Sequence, residues 1–244
     1  MDLQPNITDV LSDAWNEANK LQIEFCGTIS VKGGEQYINM STEARNPRNQ
    51  CVLSLKDINS LDTIATFHTH PHVTNPNYDV AIYDNSMATI IDISPPSPSD
   101  IIQTIQISLP LYIICRMGIW YIKYIPQITI TEQLDDIQWA SVRNYVSLVN
   151  AMCNVFTTQY GADIGIEFYI DALTQFPSQV ILNTDFYEFT HNGCAISVRD
   201  VTNLLNAPNE KYNLRDILES IFEPLGEFIG RLLCNVDFYK TREL

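Results

Sequence analysis

The run SLPLYIICRMGIWYIKYI, residues 108–125, constrains the fold of this chain more than any other stretch. It is strongly apolar, yet Pro110, Arg116, Gly118 and Lys123 interrupt it. A membrane-spanning helix needs roughly 20 mostly apolar residues, so the run is better satisfied by two core strands with a tight turn at Gly118. The second constraint is DDIQWASVRNYVSLVNAMCNVFTTQY, residues 135–160. There Ile137, Trp139, Val142, Tyr145, Val146 and Val149 recur near a 3.6-residue period, which predicts a long helix.

The other elements follow from similar signals. Residues 7–20 carry apolar groups at helical spacing, LQIEFCGTISV (21–31) reads as a strand, and Gly33 and Gly34 mark a turn before a second strand, QYINMS. CVLSL (51–55) reads as a short strand, DINSLDT as a polar turn, and Thr63–His68 as a strand. Ser97 is placed to cap a short helix through Ile101, Ile102 and Ile105. After Gly161 and Gly165 the pattern restarts with IEFYIDALTQF and QVILN, and a C-terminal helix near LRDILESIFEPLGEFIGRLL is divided by Pro224. The order of elements predicts an α+β (mixed α/β) fold.

Composition limits the partners. The 244 residues are 45% hydrophobic, as in a globular protein, and 29 acidic against 14 basic residues leave a net charge of -15. Such a surface repels phosphate backbones and anionic lipid, which argues against nucleic-acid and membrane partners. The six cysteines form no close pair and no C-x-x-C, and the N-terminus has no signal-peptide pattern. These features lead to the expectation of mostly buried, reduced thiols in an intracellular protein, cytoplasmic or nuclear.

The chemistry concentrates in FHTHPH, residues 67–72, which holds three of the four histidines. In an extended strand His68 and His70 share one face, about 6.6 Å apart along the backbone, and two such imidazoles can grip one metal ion. A pair of satisfied polar residues at a strand end is the plainer alternative. His72 reads as a surface residue because Pro71 interrupts the strand. Downstream, Ser97-Pro-Ser-Asp100 sets a hydroxyl and a carboxylate on the first turn of a helix. Upstream, Glu24 is the one charge in an otherwise uncharged strand, either facing solvent or paid for by a role inside. Asp79 and Asp84 are alternative carboxylates to Asp100. His191 and Cys194 lie too close in a loop-like stretch to suggest a cysteine protease.

Glu24, then His68-Thr-His70-Pro71, then Ser97-Pro-Ser-Asp100 resembles the signature of the JAMM (MPN+) metalloproteases. EFCG, TIATFHTHP and PSPSDI match its local texture. The resemblance implies an MPN-like curved β-sheet flanked by helices over residues 5–160, and an isopeptidase or peptidase acting at the C-terminal tail of ubiquitin or a ubiquitin-like modifier. It implies Zn²⁺ held by His68, His70 and Asp100, with Glu24 as general base and Ser97 as oxyanion donor. The chain departs from the family pattern in the 26 residues (71–96) between His70 and Ser97, where about seven are usual, so an insertion must be looped out. Residues 161–244 form an α/β extension outside the resemblance, a candidate contact for a protein complex partner. The alternatives are a non-catalytic MPN scaffold that binds a modifier or complex, a metallohydrolase of the same fold acting on small amides, and a structural zinc site. Scaffolds of this kind normally lack a ligand, and a closed structural site needs no base such as Glu24.

Overall fold

A computed structural model describes residues 3–41, 51–71, 93–125, 136–174, 181–189 and 195–197. All of these fall in one compact unit that runs to Thr202. Seven strands form one sheet: β1 (Cys26–Lys32), β2 (Glu35–Met40), β3 (Thr63–Thr69), β4 (Leu111–Ile114), β5 (Gly118–Ile125), β6 (Ile181–Phe189) and β7 (Ala195–Ser197). Their spatial order is β2-β1-β3-β4-β5-β6-β7. Only β3 and β4 pair in parallel. That pair requires a crossover, and the crossover carries His70, Ser97 and Asp100. The described helices are α1 (Pro5–Leu21), α2 (Leu55–Ile58), α3 (Pro98–Ile107), α4 (Asp136–Tyr160) and α5 (Ala162–Thr174). The fold is α+β, as expected, and no helix among the described residues is long and apolar enough to cross a membrane.

One face of the sheet is covered by α1. Pro5 opens this helix at a position where its missing N–H costs nothing, and Ile7, Leu11 and Trp15 repeat at four-residue spacing. They pack on Ile29, Phe67, Tyr112, Ile114, Ile119 and Tyr121. Two reciprocal bonds of 2.9 Å, Gln4 N–H to Gln36 Oε1 and Gln36 N–H to Gln4 Oε1, pin the start of α1 to β2. Trp120, between Ile119 and Tyr121, points to the opposite face, where its ring meets Tyr169 of α5 and Phe186 of β6. Helices α3, α4 and α5 form the layer there, α3 packing on β5 and α5 on β6.

The hairpin expected in 108–125 is β4–β5, closed by the Cys115 N–H bond to the Gly118 carbonyl at 2.9 Å. Gly118 is required by close approach. A Cβ there would lie 2.2 Å from the Tyr187 carbonyl of β6. The C-terminal segment extends the same sheet, since β6 pairs with β5 from Gly118↔Glu188 to Ile125↔Ile181.

Two expectations need correction. CVLSL is not a strand: residues 51–54 have no regular structure, and Leu55 begins the single-turn helix α2. The backbone turns instead, with the Asp57 and Ile58 N–H groups bonding the Ser54 carbonyl at 3.1 and 3.0 Å. The cysteines are not all reduced. Cys26 and Cys51 form a disulfide across a sequence separation of 25, their Cα atoms 5.7 Å apart. The fold brings them within bridging distance, which spacing along the chain does not reveal. Cys115 and Cys153 are buried thiols outside any disulfide, as expected.

Candidate metal centre

Strand β3 ends at Thr69, and the His70 backbone N–H still bonds the Ile114 carbonyl of β4 at 2.8 Å. His68 and His70 therefore remain in the extended backbone that puts both imidazoles on one face. This is the face opposite Phe67 and α1. From the other side of the sheet, the Trp15 indole N–H of α1 donates to the His70 carbonyl at 3.0 Å, fixing the backbone between the two ligands and Pro71.

Asp100 arrives from the first turn of α3. Ser97 caps that helix: its hydroxyl oxygen accepts the Asp100 N–H at 3.3 Å, and Asp100 Oδ2 accepts the Ser97 N–H at 2.6 Å. This capping box is the local reason an S-x-x-D sequence starts a helix here, and it sets the rotamer of Asp100. The free oxygen, Oδ1, lies 3.3 Å from His68 Nε2, and Oδ2 lies 3.6 Å from His70 Nε2. The two Nε2 atoms are 3.0 Å apart. A metal with arms of 2.0–2.1 Å sets neighbouring donors roughly 3.3–3.4 Å apart, and the imidazole–imidazole separation and the contact each imidazole makes with its nearer carboxylate oxygen lie close to that value. The three side chains thus form a group able to hold one metal ion. They keep 10–19% of their surface exposed, so the group is buried but reachable from solvent.

Protonation follows from the neighbours. Burial works against a charged His68, but the adjacent Asp100 carboxylate outweighs it and raises its pKa. His70 lies deep beside His68, and burial followed by that neighbouring positive charge pushes its pKa down to about 4. Burial also opposes ionisation of Asp100, yet His68, His70 and the Ser97 N–H hold it well below the ordinary carboxylate range. His70 Nδ1 lies 3.2 Å from the Ser94 carbonyl. A carbonyl only accepts, so Nδ1 carries the hydrogen and Nε2 keeps its lone pair for a ligand bond.

Glu24 lies just before β1. Cys26 pairs with His68, and the Phe25–Thr69 bonds of 2.8 and 2.9 Å carry the same register onward, which sets Glu24 across from His70. Burial raises the Glu24 pKa, against the pull of His68 and of the Cys51 backbone N–H that its carboxylate accepts. The disulfide therefore anchors a hydrogen-bond donor of the glutamate. Glu24 is partly buried rather than on a fully solvated face.

The structure thus gathers Glu24, His68, His70, Ser97 and Asp100 at one end of β1 and β3. His72, Asp79, Asp84, His191 and Cys194 lie outside the described residues, as do most of the 71–96 insertion and residues 198–244. Sequence reasoning missed Trp15, Ser94, Asn150 and Tyr169, which hold the backbone around the ligands. No spacing rule announces them: Tyr169 bonds the Pro96 carbonyl at 2.8 Å over 73 residues, and Asn150 the same carbonyl at 3.1 Å over 54. Comparison with family models, curated proteins and solved structures returns no match to this chain.

Proposed function

We propose that this protein is a JAMM-type zinc metallopeptidase with an MPN-like sheet. It would cleave an isopeptide or peptide bond at the C-terminal tail of ubiquitin or a ubiquitin-like modifier. The observation that carries the reading is the convergence of two imidazoles and one carboxylate, close enough to share one metal ion, beside a carboxylate of raised pKa. Two neutral nitrogens and one anionic oxygen suit zinc and leave a fourth position for chemistry. A zinc ion held there supplies Lewis acidity to a water and to the carbonyl of the scissile amide. Glu24 takes a proton from the attacking water and returns it to the leaving amine, work for which its raised pKa fits it. Ser97 uses its oxygen as the helix-cap acceptor, which leaves its O–H to donate to the carbonyl oxygen as negative charge collects. The substrate class rests on the resemblance of the motif blocks alone.

The test is metal content by elemental analysis of the untagged protein purified without chelators, then turnover of modifier conjugates. The parent should carry about one zinc per chain, and His70→Ala and Asp100→Ala should carry none. Glu24→Gln should keep its zinc and lose roughly 10²–10⁴-fold in rate. A parent without zinc, or zinc retained in Asp100→Ala, would sink the proposal. Zinc with no cleavage of any conjugate would favour the scaffold alternative, and hydrolysis of small amides alone the metallohydrolase alternative.

A further inference from the structure

Residues 93–97 lead into α3, and their carbonyls are received by side chains from both the sheet and the helical layer. The Trp120 indole N–H of β5 donates to the Ile93 carbonyl at 2.6 Å. His70 Nδ1 meets the Ser94 carbonyl at 3.2 Å, and Ser94 itself sits at φ +32°, a costly backbone conformation for a residue with a side chain. The Pro96 carbonyl receives two donors, the Tyr169 hydroxyl of α5 at 2.8 Å and the Asn150 amide of α4 at 3.1 Å.

Pro96 O and Ser97 N–H belong to one planar peptide group. That Ser97 N–H is the donor holding Asp100 Oδ2 at 2.6 Å. Orienting the carbonyl therefore orients the donor on its other side, and hydrogen bonds to the carbonyl polarise the N–H further. Asn150 adds a second indication. Its Oδ1 is buried without a hydrogen-bond partner among the described residues. A buried amide oxygen left that way is unfavourable, so the residue is used for its nitrogen.

We propose that Tyr169 and Asn150 are positioning residues for the metal ligand Asp100, acting through the peptide group that joins Pro96 to Ser97. With Oδ2 held by that group, Oδ1 is presented toward His68 Nε2. The inference rests on the metal-binding reading above. It also assigns a role to α5, which lies beyond the part of the chain the motif blocks account for.

A matched control is available. The Tyr145 hydroxyl of α4 donates to the Ala172 carbonyl of α5 at 2.7 Å, a tyrosine–carbonyl bond joining the helices that carry Asn150 and Tyr169 and not directed at Pro96. Metal affinity would be measured for the full chain by competition with a chromophoric chelator, and the visible spectrum recorded with cobalt(II) in place of zinc. Tyr169→Phe should bind metal about tenfold or more weakly, the usual scale for groups that orient a ligand, and shift the cobalt bands. Tyr145→Phe should leave affinity and spectrum as in the parent, whatever either change does to melting temperature. Should Tyr169→Phe fail to fold by circular dichroism, Asn150→Leu, which removes the other donor to Pro96, carries the same expectation. A parent that binds metal, with Tyr169→Phe or Asn150→Leu binding it as tightly, overturns this inference and leaves the metal site standing. A parent that binds neither metal overturns both.

Discussion

His68 and His70 are chemically alike and two residues apart, yet their surroundings drive their proton affinities in opposite directions. Asp100 holds the proton on His68, while depth and the neighbouring cation remove it from His70. At pH 6.5 the metal-free protein thus enters binding with the His70 imidazole neutral and His68 more often protonated than not. Zinc must displace the His68 proton, so titration calorimetry near pH 6.5 in buffers of different ionisation enthalpy should show release of between half and one proton per ion. Release of none would contradict the assignment of His68 as a ligand. Stability without metal follows the same pair. The Asp100 contribution is present above its unfolded value of about 3.9 and is lost as pH falls through its depressed folded value. The His68 contribution is complete below about 6.5 and is lost as pH rises through its raised folded value. His70, with its pKa lowered to about 4, works the other way, since its penalty at low pH is relieved as pH rises toward 6.5. Chemical denaturation of chelator-treated protein should therefore show stability falling from about pH 7 toward pH 9, an effect His68→Gln should abolish.

At the level of elements, the N-terminus of α3 serves both folding and chemistry. Ser97→Ala removes the acceptor for the Asp100 N–H and should cost about 1 kcal/mol of stability, the usual worth of a cap. If Ser97 also donates to the developing oxyanion, kcat should fall by roughly 10²-fold, more than that loss of stability explains. A fall in stability with unchanged kcat would confine Ser97 to capping. The β5–β6 junction has no such dual role. Gly118→Ala drives a methyl into the Tyr187 carbonyl and the Phe186 ring, and denaturant midpoints should show a loss of at least about 1–3 kcal/mol, as for other overpacked sites.

At the level of the molecule, the sheet continues through the β5–β6 pairing, and Tyr169 of α5 and Phe186 of β6 pack on the Trp120 ring. A chain ended at Tyr160 would uncover the Trp120 ring where Tyr169 and Phe186 meet it, and the whole edge of β5. It should lose cooperative thermal unfolding, and a sharp calorimetric transition in such a truncation would show that the first 160 residues fold alone. The Cys26–Cys51 link acts over a comparable range, because its loop begins on β1 and returns a backbone N–H to Glu24. Replacing both cysteines by serine should cost about 3 kcal/mol by loop-closure entropy, while alkylation of the unreduced parent should leave that pair unmodified.

Much of the local structure was legible because it depends on neighbours in the chain. The period of residues 7–20 and 135–160 and the interrupted run of 108–125 each predicted their element. Ser97-x-x-Asp100 predicted its own cap, and strand alternation put His68 and His70 on one face. CVLSL was misread because a short apolar run does not choose between strand and turn by itself, and here its end is drawn into a single helical turn closed on the Ser54 carbonyl. The disulfide, the approach of Glu24 to His70 and the opposite protonation of two similar histidines also come only from the tertiary structure. So does the hold of Asn150 and Tyr169 on Pro96. Each joins residues from 25 to 73 positions apart, and a pattern of local residues carries no information on which distant donor or charge folding will bring beside it.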